Sequence, residues 1–233
     1  MHIHIPELRY TFYGPIVFLS ILIGIVVAAI LMKKANVKKE TVLYTVLLTF
    51  ISILIFSAVT SVIITGDIKK IGFVGAGGAL GLLVGVILSA FIHNDHVAES
   101  ISAWIVALPL IYGLSKIACH IAGCCHGIQY SGAFSVTYEV HNNTAYFPVQ
   151  LSETAVFTII FVIALFLYMK MENKLNVATA VLLASGLSKF ILDYLRESHG
   201  EKAITGYQIL VLIITILGAI LIQLFRPAKH SDT

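Results

Sequence analysis

Charge is what this chain has least of. Asp, Glu, Lys and Arg make up 12% of its 233 residues, where a soluble domain carries about 25%. So little charge cannot cover a water-facing surface, which excludes an ordinary soluble domain. Cysteine is also scarce. The three present, Cys119, Cys124 and Cys125, all fall in one short segment. An odd number so tightly grouped is no disulfide framework, and at least one thiol stays free. The net charge of +3 carries no signal for nucleic acid, because the lysines gather at the ends of apolar runs, where they set membrane orientation. No internal repeat is present, nor a polar stretch long enough to stand as a soluble domain.

Hydrophobic residues fill the space that charge leaves, at 58% of the chain. They form seven runs, over 13–32, 42–65, 72–92, 98–122, 148–169, 176–195 and 206–225. Each is about as long as the roughly 20 residues that cross a bilayer core. The first run is too long for a signal-peptide core and has no small-residue cleavage site, so it reads as a retained helix. The expected fold is all-α: a single integral membrane domain over 1–233 with about seven transmembrane helices. Its longest polar connection covers about 127–147. Lys33, Lys34, Lys38, Lys39, Lys170, Lys174, Arg226 and Lys229 collect on one side of such a bundle. Arg9, Lys69, Lys70, Arg196 and Lys202 collect on the other. The positive-inside rule then puts the N-terminus and the 127–147 connection outside, and the C-terminus in the cytoplasm.

Four segments carry groups that lipid does not explain. The fourth run ends in GLSKIACHIAGCCHG, Gly113 to Gly127. A charge such as Lys116 in an apolar helix costs roughly 2.5–3.5 kcal/mol on insertion scales, so its presence points to use. At helical spacing Lys116, Cys119, His120 and Gly123 share a face, and His120 and Cys124 follow as an i, i+4 pair. An ammonium, thiols and imidazoles together suit anionic headgroup binding or acid–base work. The plainer alternative is a small-residue packing seam with a snorkelling lysine. The sixth run ends in GLSKFILDYLRE, where Lys189, Asp193 and Arg196 recur at i, i+4 and i+7. Lys189 and Asp193 either neutralise each other or leave Lys189 to join Lys116 around a phosphate. The Gly-rich third run, with Gly77 and Gly78, serves close helix packing or lets a headgroup approach the backbone. In FPVQLSE, Pro148 suits a helix start, and Gln150 and Glu153 fall near its first turn. The Cys/His segment lacks the paired C-x2-C spacing of structural zinc sites, and one helix cannot wrap a tetrahedron with all of its ligands. No metal and no cofactor is expected on that spacing. A thiol redox site is similarly unsupported without C-x-x-C.

Taken in order, these segments resemble the prolipoprotein diacylglyceryl transferase family, seven-helix bacterial membrane enzymes, across nearly the whole chain from Tyr13-Gly14 onward. The family's Gly-rich motif is similar to Gly72 to Gly78. Its Gly-Arg-x-Gly-Asn signature is similar to Ser115-Lys116 through Gly123 and Gly127. Its His-Pro-x-Gln-Leu-Tyr-Glu is similar to Phe147 to Glu153, and its second arginine helix to Lys189-Phe190 through Arg196. Gly206 and Gln208 match the start of its last helix. The resemblance implies transfer of a diacylglyceryl group from phosphatidylglycerol to a lipobox cysteine, in the bacterial inner membrane. It implies an anionic phospholipid donor held by Lys116 and Lys189, with Tyr13, Gly77, Gly78, Cys119, Gln150, Glu153, Asp193 and Arg196 around it. His120 or His126 would be the base, and a variant makes Cys124 or Cys125 a covalent nucleophile. The departures are specific. Lys116 and Lys189 stand for arginines, Ala76 and Phe147 for histidines, and Cys119 and Cys124 for the signature's Asn and Glu. A divergent paralogue is expected, its acceptor either a lipoprotein thiol or another group. Two other classes remain: a non-catalytic lipid-binding or lipid-moving protein, and a Cys/His metal or redox site.

Overall fold

The computed structural model describes residues 3–5, 10–70 and 72–226. Its seven long helices are α1 (Tyr10–Lys34), α2 (Lys39–Thr65), α3 (Gly75–Ile92), α4 (Val97–Ala122), α5 (Val149–Lys170), α6 (Lys174–Asp193) and α7 (Gly206–Leu224). All seven are long and apolar enough to span a membrane. The ends follow from local chemistry. Gly66 stops α2 in a left-handed conformation, φ 66°, which glycine adopts without a Cβ penalty. Asn173 caps α6 by accepting from the Asn176 N–H at 3.1 Å. Thr205 and Gln208 form a reciprocal capping box at the start of α7.

The bundle is organised around α4. It packs on α1, α3, α5 and α6, while α2 lies on α3 and α6 on α7. Ala103, Trp104, Ile105, Val106 and Ala107 of α4 have no exposed surface. Leu19, Val26, Ile55, Ile63, Phe166, Ile213 and Leu217 point outward on the surrounding helices and are about half exposed or more. A soluble monomer rarely exposes so much apolar surface, but a helix facing acyl chains must. The contact of α3 with α2 is set by glycine. A Cβ at Gly77, Gly81 or Gly85 would collide with α2 at Phe56 and Thr60, at Ser52, or at Thr49.

The connection after α4 is more structured than a polar loop. Strands β1 (Ile3–Ile5), β2 (Val136–Tyr138) and β3 (Ala145–Tyr146) form a small sheet in the order β1-β2-β3, the first pair parallel and the second antiparallel. Strands this short leave no usable period in sequence. The sheet puts the N-terminal segment and the 127–147 connection at the same end of the bundle. Arg9 and Lys229 from the orientation count lie outside the described residues.

Candidate functional site

Glu153, one turn into α5, has no exposed surface and lies among three cations. Arg196 Nη2 donates to both of its carboxylate oxygens, at 2.9 and 2.7 Å. Lys189 Nζ is 3.1 Å from Oε1 and Lys116 Nζ 3.6 Å from Oε2. The Tyr112 hydroxyl donates to Oε1 at 3.1 Å. Asp193 completes the set, 3.0 Å from Lys189 Nζ and 3.6 Å from Arg196 Nε. The two lysines therefore do converge from separate helices, but onto a carboxylate, and Lys189 also makes the i, i+4 pair with Asp193. The expected i+7 step to Arg196 along a helix is corrected, since α6 ends at Asp193 and Arg196 follows in a turn. It reaches the cluster from an extended backbone, bridged to Gly127.

Three positive groups face two carboxylates, so with all five ionised the cluster carries one surplus positive charge. The buried Arg196 Nε has no hydrogen-bond partner among the described residues. Next to Lys189 opens an apolar cleft lined by α3, α4, α5, α6 and α7. Tyr207 and Tyr112 stand at its polar end, and Leu182, Val211, Ile214 and Thr215 line its walls. The ring of Tyr207 lies 5.0 Å from Lys189 Nζ and that of Tyr112 4.6 Å from Lys116 Nζ. Tyr13 lies at the edge of this region, its hydroxyl donating to the Phe73 carbonyl at 3.4 Å. Gly77 and Gly78 occupy packing positions, Gly77 against α2 and Gly78 against the Phe73 ring.

The cysteines depart from the helical expectation. α4 stops at Ala122 because Gly123 turns left-handed, φ 67°. Gly123 N–H donates to the His120 carbonyl at 3.3 Å and Cys124 N–H to that of Cys119 at 3.1 Å, the paired bonds of a Schellman motif. His120 and Cys124 are thus no i, i+4 pair on a helix. Instead the reversal gathers Cys119, Cys124 and Cys125, whose sulfurs lie within 4.8 Å of one another. Three ligand atoms converge without one helix having to wrap them, and the signal for this was Gly123 as a helix stop. Gln150, also fully buried, donates from Nε2 to the Cys124 carbonyl at 2.8 Å. Hydrogen bonds with Cys119 and the other neighbouring thiol lower the Cys125 thiol and raise that of Cys124.

The histidines form a separate group under the small sheet. His120 Nδ1 is 3.2 Å from the Tyr138 hydroxyl, whose ionisation burial pushes up. His126 Nδ1 lies 3.3 Å from Glu197, and its ring packs against Tyr146 and His141. Among the described residues no hydrogen bond joins either ring to a cysteine sulfur. Sequence reasoning missed His141, whose Nε2 lies 2.8 Å from the Gly123 carbonyl. It also missed His199, 3.2 Å from Gln208, and the tyrosines of the cleft. The two histidines lie in polar connections and the tyrosines read as ordinary aromatics of apolar helices, although Tyr112 stands one turn before Lys116 on α4.

A family model for prolipoprotein diacylglyceryl transferase matches residues 1–224. The chain belongs to that family. Its members are transferases by name, and seven membrane-spanning helices are the architecture found here. A phosphatidylglycerol–prolipoprotein diacylglyceryl transferase of Clostridium tetani is 23% identical over 239 residues, covering 94% of each chain. The enzyme numbered 2 from Clostridium perfringens is 24% identical over 164 residues, which span 68% of this chain and 64% of that relative's length.

Proposed function

We propose that the chain is a membrane-embedded transferase that takes a diacylglyceryl group from an anionic phospholipid of the phosphatidylglycerol kind and passes it to a thiol. A prolipoprotein is the acceptor in the names of the two relatives. The observation that carries this reading is the surplus positive charge at the head of the apolar cleft. A phosphodiester supplies the one negative charge the cluster lacks, Arg196 Nε offers it an unused donor, and the cleft suits an acyl chain.

The acceptor sulfur attacks the glycerol carbon that bears the phosphate. A carbon–sulfur bond forms, the carbon–oxygen bond breaks, and the electron pair leaves with glycerol phosphate. The negative charge that develops there falls on Lys116, Lys189 and Arg196, in a site largely closed to water, where such stabilisation is strongest. Lysine serves as a point charge, without the fork of arginine. His126, partly exposed, is the base that takes the thiol proton, and Glu197 stabilises the imidazolium. His120 and Tyr138 hold the cap beside it. The membrane is the bacterial inner membrane, with the N-terminus and the site on the outer face, since Lys33, Lys34, Lys38, Lys39, Lys170 and Lys174 lie at the opposite end.

The test is transfer of acyl-labelled phosphatidylglycerol to a lipobox peptide by protein in proteoliposomes. Wild type is expected to label the peptide. Lys116→Ala and Lys189→Ala are expected to lose on the order of 100-fold or more, and arginine at either position to restore most of it. Phospholipid binding by wild type with no label on the peptide would reduce the chain to a lipid-binding protein. Full transfer by both alanine variants would remove the cation cluster from the reaction.

A further inference from the structure

We propose that Cys119, Cys124 and Cys125 together bind one thiophilic divalent cation, of the Zn²⁺ or Cd²⁺ kind, at the end of α4. Their sulfurs lie within 4.8 Å of one another. Thiolates on a common ion, at a metal–sulfur distance of about 2.3 Å, stand roughly 3.8 Å apart in a tetrahedron. Each pair therefore has about 1 Å or less to close, which is a side-chain adjustment.

Part of the convergence has an ordinary explanation. A Schellman motif sets the residue after its glycine beside the residue five positions before it, and that pair is usually apolar packing. Here it is Cys124 beside Cys119. The third thiol is not explained in this way. Cys125 has φ 55°, a conformation that costs a residue with a side chain about 1–2 kcal/mol. It brings the sulfur of an exposed residue back to the other two instead of releasing it to solvent. The segment is held in that shape from outside, by the buried Gln150 amide on the Cys124 carbonyl and by His141 on the Gly123 carbonyl. Strain kept by surrounding contacts, at a point where three ligands of one chemical kind meet, is a sign of use rather than of packing.

The donor set selects the ion. Thiolates favour zinc-like and softer cations and disfavour Mg²⁺ and Ca²⁺, which take oxygen ligands. Burial is graded from Cys119, buried, through Cys124, half-buried, to Cys125, exposed, so the ion enters from the Cys125 side. Three thiols bind a divalent ion with release of three protons, giving a complex of charge −1, and Lys116 stands one turn before Cys119 on the same helix to offset it. A tetrahedral ion keeps its fourth position for water or an incoming ligand, as open zinc sites do. This site takes a cation, where the neighbouring cluster takes an anion, and its binding does not depend on lipid transfer.

Titration of the full-length, chelator-stripped protein in detergent with CdCl₂ tests it, read by thiolate-to-cadmium charge-transfer absorption. A break at one equivalent per chain is expected, with Zn²⁺ displacing the signal and Mg²⁺ leaving it. All three thiols should become protected from maleimide at that point. Cys119→Ser, Cys124→Ser and Cys125→Ser should each weaken binding at least tenfold. Unchanged helicity and gel-filtration volume keep a folding failure apart, and Cys125→Ser, at the exposed thiol, is the decisive variant. Absence of a break at one equivalent overturns the site. So does binding that survives every single substitution, or a disulfide between two of the cysteines that persists in reductant.

Discussion

A carboxylate with no exposed surface, reached by Arg196, Lys189 and Lys116 at once, holds its place only as part of that set. Taking one partner from a buried ion cluster leaves the others desolvated and uncompensated, at a cost of about 3–5 kcal/mol. Glu153→Gln keeps the shape and removes the charge, setting three cations against Asp193 alone. We expect it to lower the thermal midpoint in detergent by several degrees, and more than Asp193→Asn does, because Asp193 meets two cations and Glu153 three. Equal midpoints for the two variants would show that Glu153 is not the centre. At this scale the sequence was half legible. Lys116 and Lys189 stood out because an ammonium in an apolar run is expensive. Glu153 read as a good helix start, since proximity to a helix dipole is an adequate local reason for an acid there. Its partners come from α4, α6 and the turn after α6, and no local pattern records such a meeting.

The elements were easier to read than their ends. Seven apolar runs became seven helices, with shifts of a few residues, because lipid demands internally bonded backbone over a fixed length. The misreadings cluster where the chain leaves the bilayer. Helical spacing carried past Ala122 to Cys124, and past Leu195 to Arg196, fails because a left-handed Gly123 stops α4 at one residue and α6 ends at Asp193. Gly127 shows how tightly these exits are joined. Its N-terminal neighbour is His126, it is bridged to Arg196, and it lies between two strand-like backbones. A Cβ there would stand 3.0 Å from the Leu195 carbonyl oxygen and closer still to that of Phe147. Neither backbone can yield without moving Arg196 or the start of α5. Gly127→Ala should therefore lower both the midpoint and transfer activity. Gly206→Ala, where a Cβ meets nothing within 4 Å, should change neither. Thermal unfolding of the two variants side by side distinguishes them.

For the whole molecule, orientation is the property with the most consequences. An odd number of spans puts the termini on opposite sides, and β1–β2 pairing binds the N-terminal segment to the 127–147 connection. Both must share a side, and the lysine-rich turns lie on the other. A cysteine placed at the exposed Ser131, in a chain with its three native cysteines changed to Ser, is expected to react with a membrane-impermeant maleimide added to intact cells. One placed at Lys34 should react only after the membrane is opened. The reverse pattern would turn the molecule over and put the Glu153 cluster on the cytoplasmic face. The seven spans were plain from hydropathy alone. The three-stranded cap was not, because its strands are two or three residues long and the first lies more than a hundred positions from the other two.

That cap also dictates an order of assembly. Ile3–Ile5 leaves the ribosome ahead of α1, yet its partner Val136–Tyr138 follows only after α4. The N-terminal segment must wait without its neighbour through the synthesis of α1 to α4. His120 gains the Tyr138 hydroxyl only when this late strand arrives, and Glu153 and Arg196 come later still. Every chain that ends before Glu153 therefore carries Lys116 into the membrane before its counter-charge exists. During biogenesis, something other than the finished protein has to shelter that charge.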